Sequence, residues 1–203
     1  MYHANTRANR GTAASIRTLT GISILAAIVV VLTILCNFIR FGPFSITLAL
    51  APIIIGSAVY GSKAGGILGA TFGLVVLITG MMGLDGGTVM YLFSQNAIAT
   101  VLICLGKGWA SGAFSGLIYR LIARKNDKVA VVAAGIVCPV VNTGLFIALM
   151  MVFFFSVLNS WAGGENLIYY LIFGLTGINF LVELGVNLVL SSAIVRIIHA
   201  APK

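Results

Sequence analysis

Apolar residues fill this chain in long blocks with short polar breaks between them, and the blocks fall at 19–39, 47–62, 64–82, 107–123, 129–156 and 167–197. An α-helix rises about 1.5 Å per residue, so roughly 20 apolar residues cross the ~30 Å hydrocarbon layer of a bilayer. The pattern predicts an all-α integral membrane protein with six transmembrane helices, the second and fourth of them short. The breaks read as turns. RFGPFSI at 40–46 holds Gly42 and Pro43, which stop a helix; GSK at 61–63 is a tight link, RKNDK at 124–128 a hairpin link, and NSWAGGEN at 159–166 a flexible one. The longest irregular region starts at Gly83, Gly86 and Gly87. The apolar piece 97–105 beyond it is expected to be re-entrant or to lie over the outer mouth.

Against this apolar background a few polar positions stand out. Asn179, Glu183 and Asn187 recur every four residues in the last block, and each step turns only about 40° around a helix, so they share nearly one face. A carboxylate near the bilayer centre costs roughly 3 kcal/mol or more unless it faces a partner or a cavity. Glu183 is therefore a candidate for ligand binding or coupling, Asn179 the first polar group met from outside, and Asn187 a structural hydrogen-bonding residue. Asn142 follows Pro139 in CPVVNTGLF. Proline frees a backbone carbonyl there, and the amide offers both a donor and an acceptor.

Composition strengthens the membrane reading. Hydrophobic residues are 60% of the chain and charged residues 8%, against roughly 25% charged in soluble domains; mean hydropathy is +1.13. The net charge of +8 follows from topology. If the N-terminus is cytoplasmic, one side holds Arg7, Arg10, Arg17, Lys63, Arg120, Arg124, Lys125, Lys128, Arg196 and Lys203, while the other holds only Arg40 and Lys107. Cytoplasmic loops collect Lys and Arg, so both termini are expected inside, and no nucleic-acid partner is needed. The expected organisation is a basic tail at 1–17, a membrane domain at 18–198 and a short cytoplasmic tail at 199–203. The run after Arg17 is longer than a signal-peptide core and lacks a small-x-small cleavage site, so it reads as the first membrane helix.

The chemistry that is missing narrows function. There is no GxxxxGK[ST] phosphate loop, no GxSG and no HExxH, and His3 and His199 lie at the extreme ends. Cys36, Cys104 and Cys138 sit in apolar runs without paired spacing, which fits packing and gives no disulfide frame or metal site. No enzyme activity and no cofactor are expected. Arg40 and Lys107 are placed at the outer rim, where they either attract an anionic solute or snorkel to headgroups. Trp161 is a candidate lid among boundary aromatics. Gly65, Gly69 and Gly73, with Gly108, Gly112 and Gly116, follow the small-xxx-small spacing that lets membrane helices approach closely.

Three stretches, LALAPIIIGSAVYGSKAGGILGATFGL, CPVVNTGLF and GINFLVELGVNLVLSSAIV, resemble in order and spacing the S components of energy-coupling factor transporters. The resemblance covers about 19–197. It implies a vitamin-binding subunit of the prokaryotic cell membrane that works with a transmembrane coupling subunit and two ATPases, which fits the absent phosphate loop. It further implies a docking face of small residues on the first helix. The family's AxxxA pattern is matched only in part, by Ser23 and Ala27, with Gly21 and Ala26 as the other candidates for the flat face. For the ligand, Arg40 or Lys107 suits a carboxylate and Asn142, Asn179 and Glu183 suit hydroxyls and an amide, so pantothenate fits best. Hydroxymethylpyrimidine or pyridoxine, riboflavin and folate stay open, as does a stand-alone proton-coupled transporter or a membrane scaffold.

Overall fold

The computed structural model describes the backbone of residues 2–38, 40–41, 44–45 and 47–200, and side chains for 15–38, 47–177, 180–190 and 193–196. Its elements are α1 (Tyr2–Cys36), a two-residue ladder of β1 (Arg40–Phe41) with β2 (Phe44–Ser45), α2 (Leu50–Tyr60), α3 (Ser62–Met81), α4 (Thr88–Gln95), α5 (Ala97–Ala123), α6 (Asp127–Phe153), α7 (Phe155–Ala162), α8 (Leu167–Tyr169) and α9 (Ile178–Ala200). A wide π-helical stretch, Tyr170–Gly177, joins α8 to α9, and the Thr176 hydroxyl donates to the Leu171 carbonyl five residues back, at 2.8 Å.

Among the described residues, four helices are long and apolar enough to cross a membrane: Ser15–Cys36, Ser62–Met81, Ala97–Ala123 and Asp127–Phe153. The count rises to five where the pair Leu167–Gly177 and Phe180–Leu190, bent by 43°, is taken as one broken span. The second apolar block forms only the 11-residue α2, about 16 Å long, half a hydrocarbon layer. It is a core element: Leu50, Ile53 and Ile54 are fully buried, and α1, α3, α5, α6 and α9 surround it. Pro52 sits in its first turn, where no intrahelical N–H partner is lost.

Two sequence expectations change here. Residues 97–105 are not a separate dip but the first part of α5. The helix starts where the Asn96 side chain accepts from the Ala99 N–H at 3.0 Å, and it continues through Gly106, Gly108 and Gly112 because α3 supports it. Residues 155–162, which straddle the end of the fifth apolar block and the first half of the link expected to be flexible at 159–166, form helix α7. The N-terminal segment is helical from Tyr2.

The α3–α5 contact is the most extensive in the bundle, and glycine makes it possible. A Cβ on Gly65 would overlap the Gly112 carbonyl, one on Gly69 the Gly108 carbonyl, and one on Gly73 the Cys104 carbonyl; the reverse holds for Gly108 and Gly112. In lipid there is no hydrophobic drive between helices, so such close backbone packing carries the association. A side-chain bond adds to it, from the Ser62 hydroxyl to the Ala113 carbonyl, and Ser115 of α5 donates in turn to the Ala134 carbonyl of α6 at 3.2 Å. The buried apolar residues form two clusters, one around Ile53, Leu68, Phe72 and Val131 and one around Ile103, Phe146, Leu158 and Leu175. Large residues on the outer faces stay uncovered, such as Ile98 at 83% and Val189 at 77% exposed, which is costly in water and neutral against acyl chains.

Candidate functional site

Where the two apolar clusters meet, the bundle holds a partly open cavity of about 100 Å³ with polar groups in its lining. Phe72 from one cluster and Leu92, Ile103, Phe146 and Leu175 from the other form its apolar wall. Its polar lining comes from nearly every element: Asn37 and Thr47 flank the α1–α2 link, Asp85 precedes α4, Thr100 and Lys107 lie on α5, Asn142 and Thr143 on α6, Thr176 on the π-helical stretch and Glu183 on α9.

The cavity brings together Lys107, Asn142 and Glu183 from the sequence candidates. Lys107 was expected at the outer rim. Because α5 begins at Ala97, Lys107 lies about 15 Å along the helix axis, well inside the span. Its ammonium stands 4.9 Å from the centre of the Phe146 ring, a cation–π distance. Glu183 is 5% exposed. It accepts from both the hydroxyl and the backbone N–H of Thr47 and feels the Lys107 charge across the cavity. Asn142 is 6% exposed, and among the described residues its Oδ1 has no hydrogen-bond partner. It stands one turn past Pro139, which leaves α6 continuous.

Other candidates lie elsewhere. Trp161 is on α7 and packs on Tyr91, ring centres 6.1 Å apart; with Gly87, Thr88 and Tyr170 it lines a separate shallow pocket on the other side of α4. Asn187 is buried facing α6, where a Cβ added to Gly135 would just touch it, and its Nδ2 lacks a partner among the described residues. The side chains of Arg40 and Asn179 are outside the described residues. On α1, Ser23 and Ala27 are exposed, whereas Gly21 and Ala26 are half-buried; a Cβ on Gly21 would overlap the Tyr60 hydroxyl, and Ala26 packs on the core.

Sequence reasoning missed Asp85 and the threonines. Asp85 was legible as one of four acidic residues, set among three loop glycines. Its carboxylate accepts from the N–H of Gly87 at 3.0 Å and of Val89 at 2.7 Å, so it holds the start of α4, where the helix dipole favours a negative charge. Thr100 and Thr176 donate to their own helices' carbonyls, which leaves hydroxyl lone pairs to accept from a ligand.

Chemically, the cavity offers one cation, one carboxylate not consumed by helix capping, an amide oxygen in need of a donor, and hydroxyls, all between apolar walls. That set suits a small polar organic solute with an anionic end. It holds no group of three or more His, Cys, Asp or Glu able to bind a metal, among the described residues. Two comparisons bear on it. The chain is 27% identical over 186 residues to the pantothenic acid transporter PanT of Lactococcus lactis subsp. cremoris (strain MG1363), covering 86% of this chain and 89% of that relative. Residues 17–195 match the family described as ECF transporter, substrate-specific component. A match of that extent means that this chain belongs to the substrate-specific components of ECF transporters, multi-pass proteins of the prokaryotic cell membrane that bind their solute rather than transform it.

Proposed function

We propose that this chain is the capture subunit of an ATP-driven vitamin importer, that its solute is pantothenate, and that the cavity between α5, α6 and α9 is where pantothenate binds. The observation that carries the reading is the convergence of Lys107, Asn142 and Glu183 on one cavity. Pantothenate has a carboxylate for Lys107, and hydroxyls and an amide N–H that can donate to Asn142 Oδ1 and Glu183. The likeness to a pantothenic acid transporter supports the same choice. At about 100 Å³ the cavity is smaller than the ~300 Å³ or more of pockets that enclose drug-sized ligands. Taking in the vitamin therefore requires a wall to move, and we assign that movement to α4, which is eight residues long and preceded by three glycines at positive φ.

In this reading the chain crosses the membrane six times, α2 being a half-length crossing completed by its link to α1, and both termini are cytoplasmic. Energy comes from a transmembrane coupling subunit and two ATPases. The docking face runs through Ser23 and Ala27, supported by their exposure on α1. Vesicles carrying this chain with its coupling and ATPase subunits should accumulate labelled pantothenate on ATP addition, and vesicles carrying the chain alone should not. Ala27→Trp should abolish accumulation while leaving binding intact. Uptake by the chain alone that collapses with an uncoupler would instead identify a proton-coupled transporter.

A further inference from the structure

At the end of α5 remote from Ala97, the bundle has a second feature that vitamin capture does not use. The tight helix packing stops at Gly116, where a Cβ would press on the Ser62 backbone and on Ser57. One turn later the side chains become large, with Tyr119, Arg120 and Arg124. The result is an open groove of about 530 Å³ between Ser57–Gly61 and Gly116–Arg124. Arg120 and Arg124 are one helical turn apart and so share a face. Both are exposed, and among the described residues neither guanidinium has a hydrogen-bond or ion-pair partner. Ala58, Val59 and Ala123 give the groove an apolar side.

Beside the arginines, an uncovered apolar stripe runs back along α5: Leu121 at 60%, Leu117 at 44% and Phe114 at 49% exposed. These three lie at the three- and four-residue steps that make one helix face, and Leu121 and Leu117 are turned only about 60–100° from Arg120 around the axis. A pair of exposed guanidiniums at a helix end, joined to an exposed apolar track, matches an amphiphile with a phosphate head. Basic pockets between membrane helices on the cytoplasmic side take anionic lipid headgroups in this way, and the planar guanidinium forks suit phosphate oxygens.

We infer that the groove between the ends of α2 and α5 binds an anionic phospholipid, its phosphate held by Arg120 and Arg124 and its acyl chain laid along Leu121, Leu117 and Phe114. The site anchors that corner of the bundle to the leaflet, independently of whichever solute the inner cavity takes.

The test is native mass spectrometry of the detergent-purified, delipidated chain titrated with phosphatidylglycerol, phosphatidylcholine or inorganic phosphate. Arg120→Gln, Arg124→Gln and the double variant are compared with Lys125→Gln and Lys128→Gln, which remove equal charge from the adjoining link. Size-exclusion profile and circular dichroism establish that each variant is folded. One phosphatidylglycerol should be retained in preference to phosphatidylcholine, with retention falling about fivefold per arginine removed, the fold-change equivalent of the ~1 kcal/mol that one basic residue contributes near an anionic surface. The lysine variants should retain it. Equal loss in the lysine variants would mean a diffuse basic fringe and would overturn the site. Displacement of the lipid by millimolar inorganic phosphate would assign the groove to a free anion and overturn the lipid assignment.

Discussion

Replacing Lys107 with methionine should cost the chain most of its affinity for an anionic vitamin. Methionine is unbranched and keeps the apolar stem, one heavy atom shorter, so the change removes the charge with little change of volume. The contact with the Phe146 ring at 4.9 Å is present in the ligand-free chain; taken as kept on binding, its ~0.5–2 kcal/mol cancels from the binding free energy to first order. What remains is the charge-assisted bond to the ligand carboxylate, worth ~1.5–3 kcal/mol. Lys107 is already half-buried in the folded chain, so part of its desolvation is borne on folding, which favours the upper end. The expected loss is then roughly 30- to 150-fold. Titration calorimetry in detergent reads it directly, and an analogue whose carboxylate is replaced by a hydroxymethyl group completes a double-mutant cycle. The original protein should discriminate strongly between pantothenate and this alcohol, and Lys107→Met should scarcely do so. An affinity within twofold of the original, or unchanged discrimination, would remove Lys107 from the carboxylate subsite.

Other positions give independent checks. Asn142→Leu should weaken binding about tenfold or more, since a lost hydrogen bond costs ~1–3 kcal/mol, yet leave thermal stability of the ligand-free chain unchanged or higher, because Oδ1 has no partner to lose among the described residues; a large fall in stability would make Asn142 structural. Gly69→Val should destabilise by about 3 kcal/mol or more, as the added carbons meet the Gly108 backbone. Gly106→Ala, with nothing within 4 Å of the new Cβ, should stabilise by about 0.5–1 kcal/mol; similar thermal-shift results for the two would contradict the packing account of the α3–α5 contact. Asp85→Ala should cost about 0.5–2 kcal/mol by uncapping α4, seen as faster amide exchange confined to Thr88–Gln95, and uniform exchange across the bundle would refute the assignment.

The membrane class and the polar side chains worth examining were legible because a charge or amide in an apolar run is costly enough to need a reason. Glu183 and Asn142 stood out on that ground alone. Lys107 stood out as well but was placed at the rim, because the fourth apolar block reads as beginning at residue 107, with 97–105 a separate piece before it; glycine costs helix stability in isolation, and only the facing glycines of α3 reveal why α5 runs unbroken through Gly106 and Gly108. Helix α7 was hidden by the same kind of reasoning, its short stretch being followed by Gly163 and Gly164 at positive φ. Asp85 was read as loop because its role is to accept from N–H groups two and four residues ahead, a local geometry that composition does not display. The outward turn of Ser23 and Ala27 and the inward turn of Gly21 and Ala26 depend on where α2 lies, which no periodicity in an all-apolar helix encodes.

The most direct measurement is titration calorimetry of the purified full chain against pantothenate, pyridoxine, hydroxymethylpyrimidine, riboflavin and folate. The account predicts one-to-one saturable binding of pantothenate, markedly tighter than any other vitamin in the set and lost in Lys107→Met. Binding of a different vitamin alone, or pantothenate binding indifferent to Lys107, would contradict the assignment of this cavity to pantothenate.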